Sequence, residues 1–247
     1  MAKAYKNPEF MLGDDARPLR ILSEYIEPRT RLAAYDVERA VIFWGSARLR
    51  PRGSHPVHAA VDYYDQARLL AARLVKWTMN THADKQRYYI CTGGGPGIME
   101  AANRGAADVN RDLSLGLSIS LPAEKDSNDY INQDLDFEFH YFFMRKFWFT
   151  NLAKALVVFP GGFGTMDELF EMLTLMQTDK HARVPVVLYG RDFWERLIDF
   201  NVFVEHGLIS PEDLSMFHVA ADVQDAFQFL TRKMEPDAAT AGAHPAA

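Results

Sequence analysis

Short, nearly continuous apolar runs recur along this chain, each closed by a turn and separated from the next by segments of helical period. Ala40–Trp44 (AVIFW), Tyr88–Cys91 (YYIC), Leu115–Ser120 (LGLSIS), Ala155–Phe159 (ALVVF) and Val184–Tyr189 (VPVVLY) are the strand candidates. Val57–Asn80 places Ala67, Leu70, Leu74 and Trp77 on one face at three- and four-residue spacing. Met166–Thr178 does the same with Leu169, Met172, Leu173 and Met176, and Ile98–Asn110, Phe193–Phe203 and Ala220–Lys233 are further helix candidates. The aromatic stretch Phe137–Phe143 reads either as a strand or as the lead-in to a helix through Phe147, Leu152 and Ala153. Buried strands alternating with amphipathic helices require a sheet covered on both faces. The expectation is an α/β fold, doubly wound, with a mainly parallel sheet flanked by helices.

The 247 residues suit one large domain, and 48% hydrophobic with 24% charged residues excludes a disordered or collagen-like chain. Lys and Arg total 27 against 33 Asp and Glu, a net charge of −6 with no basic run. Nucleic acid and anionic membrane surfaces are therefore not expected as partners. Cys91 is the single cysteine, which excludes an intrachain disulfide or a cysteine zinc cage and points to a reducing, cytoplasmic setting. Met1–Arg20 lacks a signal-peptide core, and no apolar run approaches the roughly 20 residues that cross a bilayer. The expected organisation is a partly helical N-terminal extension over 1–35, a single domain over 36–234 and a disordered tail over 235–247 (EPDAATAGAHPAA).

Ligands of open parallel sheets bind beyond the carboxyl ends of the strands. Two strand-to-helix turns there are rich in glycine: Thr92-Gly93-Gly94-Gly95-Pro96-Gly97 and Pro160-Gly161-Gly162-Phe163-Gly164-Thr165. Missing Cβ atoms let a ligand approach the backbone, and free N–H groups at a helix start favour phosphate. Glycine that merely permits a tight turn is the alternative for either turn taken singly. No Gly-Lys occurs anywhere, which excludes a P-loop, and Ile98 and Asp167 stand where a dinucleotide fingerprint needs its last glycine. A mononucleotide is the remaining expectation.

Glu168 has two readings. In Thr165-x-x-Glu168 it fits a capping box, with Thr165 as N-cap and Glu168 at the third helical position. It is also a carboxylate one turn from a phosphate-binding helix start. Arg145-Lys146 interrupts an aromatic stretch, YFFMRKFWF, where Arg145 either packs its stem on aromatics or makes a forked contact with an anion. Ser46 follows a strand end and is a candidate hydrogen-bond donor to ligand, without the elbow of a nucleophile. The eight histidines show no metal spacing, so no metal is expected.

The segments GGGPGIMEAANRGA (Gly93–Ala106), FFMRKFWF (Phe142–Phe149) and FPGGFGTMDELFE (Phe159–Glu171) resemble the LOG ("lonely guy") family of phosphoribohydrolases, in its longer bacterial form. PGGxGTxxE is the specific motif, with Arg145-Lys146 matching the family's RK pair. The resemblance implies a modified Rossmann fold. It also implies hydrolysis of the N-glycosidic bond of a purine nucleoside 5′-monophosphate, AMP or a cytokinin riboside monophosphate, to free base and ribose 5-phosphate. Arg145 and Glu168 become the catalytic pair. Gly161, Gly162, Gly164 and Thr165 hold phosphate, and Gly94, Gly95 and Met99 contribute to the nucleotide pocket, with Ser46 and Lys146 as further substrate contacts. No cofactor is implied, and a homodimer or a higher oligomer built from dimers is. Glycosidic cleavage builds positive charge on the sugar, which a carboxylate stabilises. A non-catalytic carrier or sensor of a nucleotide-like ligand is the alternative. Lysine decarboxylation, a label some members of the family carry, expects a Ser-x-His-Lys site, and here Lys180-His181 stands in the reverse order.

Overall fold

The computed structural model describes residues 3–51, 62–120 and 127–235. Two helices, α1 (Pro8–Leu12) and α2 (Arg17–Ala34), precede the sheet. The chain then runs through β1 (Ala40–Trp44), α3 (Tyr63–Thr81), β2 (Tyr89–Thr92), α4 (Ile98–Asn110), β3 (Ser114–Ile119) and β4 (Asp136–Phe139). After these come α5 (Phe142–Leu152), β5 (Ala153–Val158), α6 (Phe163–Gln177), β6 (Val186–Tyr189), α7 (Arg191–Leu197), α8 (Phe200–Glu205), β7 (Phe217–Ala220) and α9 (Val223–Met234). The seven strands form one sheet in the order β4-β3-β2-β1-β5-β6-β7, and every pairing is parallel. This is the doubly wound α/β fold expected of the sequence.

β1, β2 and β6 are buried along their whole length, as a sheet covered on both faces demands. Successive side chains of β1 serve opposite layers. Phe43 lies 6.3 Å from the ring of Phe159, which Tyr63 at the start of α3 meets edge-on, while Trp44 packs edge-on against Phe149 of α5. α3 packs against α4 and α9, and α2 packs against α5.

Several boundaries differ from the sequence reading. Phe137–Phe143 is neither purely strand nor purely helix: β4 ends at Phe139 and α5 begins at Phe142. The single helix expected over Phe193–Phe203 is two, because the Asp199 side chain accepts from the Asn201 N–H and starts α8 afresh. β7 was not anticipated: a four-residue edge strand, FHVA, mostly half-buried, carries too little apolar pattern to announce itself. Residues 57–61 of the expected first long helix, and 236–247 of the expected tail, lie outside the described residues.

Contact between α3 and α4 is so close that Gly105 has no room for a side chain; a Cβ there would fall 2.1 Å from the backbone oxygen of Arg68. Alanine gains about 1 kcal/mol over glycine in a helix interior, but forcing two backbones apart in a packed core costs about 1–3 kcal/mol. Gly105→Ala is therefore expected to lower stability by up to about 2 kcal/mol in urea unfolding. A more stable variant would show that the two helices slide apart freely.

Candidate active site

The chain adds β2, β3 and β4 on one side of β1, then returns to place β5, β6 and β7 on the other. β1 and β5 therefore flank the point where strand order reverses, the usual place for a ligand crevice in such sheets. Three turns meet there, and Ser46 joins them through its backbone. Its N–H donates to the Pro160 carbonyl at 3.0 Å, and its own carbonyl accepts from the Ile98 N–H at 3.1 Å. Gly97, at φ +71°, completes the knot, since a Cβ would lie 2.4 Å from the Ser46 oxygen.

The first glycine turn is held from beneath by buried polar side chains. Asn103 of α4 accepts from the Thr92 hydroxyl at 2.6 Å and from the Asn128 amide at 3.0 Å. Its own amide donates to the Ser114 hydroxyl at 3.0 Å and the Leu115 carbonyl at 3.2 Å, so all its hydrogen-bonding capacity is used. Thr92 in turn accepts from the Gly94 N–H at 2.9 Å, and Asn128 donates to the Gly94 carbonyl at 2.9 Å. Gly94, at φ +75°, is thus gripped on both sides, and a Cβ on it would fall 2.0 Å from the Ser118 hydroxyl.

The second turn corrects the capping-box reading. α6 starts at Phe163 with Gly162 as its N-cap, and no side chain caps it. Thr165 is already inside the first turn, and its hydroxyl lies back over Gly161, where a Cβ would be 2.1 Å away. Gly162 and Gly164 have open space where a side chain would stand. The first N–H groups of a helix lack intrahelical partners, so α6 begins with free donors beside that space.

Glu168, one turn further along α6, accepts from the Arg145 guanidinium at 3.0 Å, both side chains being little exposed. Burial pushes the Glu168 carboxyl up to about 7, against the opposing pull of Arg145. Arg145 is flanked by Phe142 and Phe149, with its guanidinium carbon 5.2 and 5.6 Å from their ring centres. It also reaches the first glycine turn, where a Cβ on Gly93 would lie 3.8 Å from its Nη1. Two further contacts fix α5. Glu24 of α2 accepts from the backbone N–H groups of His140 and Tyr141, at 2.9 and 3.2 Å, placing negative charge at the start of that helix. Lys146 pairs with Asp167 and Glu171 of α6 at 2.9 Å each.

A cavity of about 640 Å³ opens among these elements. Of the residues singled out from sequence, Ser46, Gly94, Gly95, Met99, Arg145, Gly162, Gly164, Thr165 and Glu168 line it. Gly161 and Lys146 do not: Gly161 makes room for Thr165, and Lys146 is occupied by its two carboxylates. Arg48, Ser118, Ser127, Asp136 and Glu138 also line the cavity and were missed. Arg48 sits two residues after Ser46, close enough to have been weighed with it. Asp136 and Glu138 are two apart on β4, a spacing that puts both on one face.

The family model described as "Possible lysine decarboxylase" matches residues 99–230. The chain belongs to this family. It is the LOG family to which the sequence motifs pointed, and those motifs surround the cavity. A pyrimidine/purine nucleotide 5′-monophosphate nucleosidase of Escherichia coli (strain K12) is 31% identical over 129 residues, 46% of this chain and 27% of that protein. A cytokinin riboside 5′-monophosphate phosphoribohydrolase of Rhodococcoides fascians is 31% identical over 91 residues, 35% of this chain and 44% of that protein. The corresponding enzyme LOG2 of Arabidopsis thaliana is 27% identical over 170 residues, 68% of this chain and 75% of that protein. The chain thus spans about a quarter of the E. coli relative that it matches. The family's descriptive label implies pyridoxal phosphate, whose attachment needs a lysine at the site. No lysine among the described residues lines the cavity, so this donor set does not fit that group. No helix among the described residues is long and apolar enough to cross a membrane.

The raised Glu168 carboxyl has a consequence for stability. Between pH 4.5 and 7 the folded chain holds a proton there that the unfolded chain has released, so the Glu168 contribution falls as pH rises through that window. Over the window the loss is on the order of 3 kcal/mol. Chemical unfolding of Glu168→Gln and of the unchanged chain at pH 5 and pH 8 is expected to show the variant gaining relative stability at the higher pH. A pH-independent difference between the two would show Glu168 ionised throughout.

Proposed function

We propose that this chain hydrolyses the N-glycosidic bond of a purine nucleoside 5′-monophosphate, AMP or a cytokinin riboside 5′-monophosphate, releasing free base and ribose 5-phosphate. The observation that carries this reading is one carboxylate, Glu168, buried against Arg145 one turn inside a helix whose first residues open onto the same cavity. The names of the relatives, nucleosidase and phosphoribohydrolase, support the same chemistry.

Phosphate occupies the N-terminus of α6, where Gly162 and Gly164 expose backbone donors to the cavity. This remote contact holds the sugar against Glu168 and lowers the barrier at C1′. As the bond from C1′ to the base nitrogen breaks, its electron pair leaves with the base and positive charge builds on the ribose. Ionised Glu168 stabilises that charge and takes a proton from the water that attacks C1′; a proton from solvent goes to the departing base, and Glu168 returns its own to solvent, so that one water is consumed and the carboxylate is regenerated. Arg145 keeps Glu168 oriented and presents donors to the ribose hydroxyls. Phe142, Phe143 and Phe147 leave an exposed apolar face on α5 beside the cavity, which supports a homo-oligomer as the working form.

Incubation with AMP and chromatography of free adenine tests the reaction. Glu168→Gln is expected to lose about 100-fold or more in kcat while still binding AMP, because the amide cannot offset a cationic sugar. Normal turnover in that variant would remove Glu168 from the chemistry, and binding with no adenine from the unchanged chain would favour a carrier. Because the ionised form acts, kcat/KM of the unchanged chain is expected to climb as pH rises through about 7. Arg145→Ala is expected to lose activity with its circular dichroism unaltered; retained activity would place Arg145 outside the site.

A further inference from the structure

Helix α5 starts without the help a helix start ordinarily has. Its N-cap, Tyr141, makes no side-chain cap hydrogen bond, and no acidic residue stands in its first turn. Arg145 is its fourth residue, and the positive end of a helix disfavours a cation so near. The missing acceptor comes from α2, more than a hundred residues upstream: one oxygen of Glu24 accepts from the His140 N–H and the other from the Tyr141 N–H. The Tyr141 carbonyl accepts in turn from the Arg145 N–H at 3.2 Å, and the Arg145 guanidinium donates to Glu168. One residue and two hydrogen bonds thus separate the Glu24 carboxylate from the backbone of Arg145.

Little else fixes where that guanidinium stands. Phe142 and Phe149, which flank it, belong to α5 and move with it. Its Nε is buried without a hydrogen-bond partner among the described residues. Lys146 ties α5 to α6 through side chains alone, and its partner Asp167 is 61% exposed, where ion pairs hold weakly. Glu24 grips backbone instead, with a charged acceptor. Its own place is set independently of α5. Farther along α2, Leu32 is buried in the core, the Arg31 guanidinium lies 3.9 Å from the Phe137 ring centre, and Tyr35 donates to Asp134 just ahead of β4.

Resting on the proposed reaction, we infer that Glu24 is a positioning residue of this site: through the start of α5 it sets Arg145 against Glu168, which makes α2, ahead of the sheet, part of the working enzyme. Arg145 exerts the strongest pull of any charge on Glu168; Lys146 of α5 and Asp167 and Glu171 of α6 act more weakly, and the buried Cys91 thiol of β2 stays neutral. Arg48, Asp136 and Glu138 line the same cavity. Releasing His140 and Tyr141 lets Arg145 withdraw, which misplaces its donors and removes the pull that favours ionised Glu168. The start of α6, where phosphate binds in the proposed reaction, keeps its donors.

Glu24→Ala in the full chain is expected to lower kcat for AMP hydrolysis about tenfold or more, with KM changed less than about threefold. Glu24→Gln keeps one acceptor oxygen, is expected to lose only about threefold in kcat, and carries the same test if the alanine variant fails to fold. Val223→Ala, buried on α9, which packs against α3 and the sheet, is the control for lost stability and is expected to keep kcat within about twofold. Independently of turnover, nuclear magnetic resonance of isotope-labelled glutamate follows the Glu168 titration, identified by its loss in Glu168→Gln. That titration is expected to move up by at least about half a pH unit in Glu24→Ala. Unchanged kcat, a loss confined to KM, or a matching loss of kcat in Val223→Ala overturns the inference. So does a Glu168 titration that stays in place or falls toward the ordinary carboxylate range, the mark of a site that has merely loosened and filled with water. If the titration moves up but the unchanged chain releases no adenine, the hydrolase reading fails and the positioning role stands.

Discussion

Taking the Glu168 carboxylate out of water raises the energy of its charged form, and the Arg145 guanidinium at 3.0 Å offsets that only in part. The balance leaves a carboxyl that ionises near neutral pH, neither locked as an anion nor held neutral. A group poised in this way can carry charge when a cation forms beside it and can take a proton from water. A second cation at Glu168 would hold the carboxylate ionised and weaken it as a base. Lys146 is next in sequence to Arg145 but is claimed by Asp167 and Glu171, which keeps it off the cavity wall.

Such a balance depends on distances, and much of the surrounding structure serves to fix them. Arg145 and Glu168 come from different helices, so α5 and α6 must keep a constant relation. Lys146 ties one to the other directly. Glu24 of α2, far away in sequence, accepts from the two residues that lead into α5, and the Trp148 indole of that helix donates back to the Glu24 carbonyl at 2.9 Å. The long helix ahead of the sheet thus bears on the candidate site without touching it. At the strand ends, the backbone of Ser46 performs the same service between the two glycine turns, and the residue also lines the cavity.

The strands were legible because buried parallel strands need continuous apolar residues, and β1 falls on Ala40–Trp44 as expected from that pattern. Elements whose cause lies elsewhere in the fold were not. β7 takes its identity from pairing with β6, and the start of α6 is set by Gly162 at the strand end, which is why Thr165 looked like a cap. At the site, glycine content and an isolated Arg-Lys pair were enough to mark the right turns. They could not separate Arg145 from Lys146, since which of two neighbours faces a cavity depends on how α5 is rotated against α6. Ser118, Ser127, Asp136 and Glu138 escaped because they converge only when β3 and β4 pair.

The two glycine turns look alike in sequence, yet the structure separates their purposes. At Gly94 and Gly97 the chain adopts positive φ, and protein atoms fill the space that a side chain would take. These residues are glycines because Ser118 and Ser46 press against them. At Gly162 and Gly164 the φ angles are ordinary and the space is empty. Among the described residues nothing fills the space a side chain would take there, which suits the proposed role of these glycines in letting an anion reach the first N–H groups of α6. The first turn therefore builds the floor of the cavity, and the second is the surface left bare for an anion. The proposed function uses that asymmetry, with the anion of a mononucleotide at the second turn and the rest of the molecule over the first.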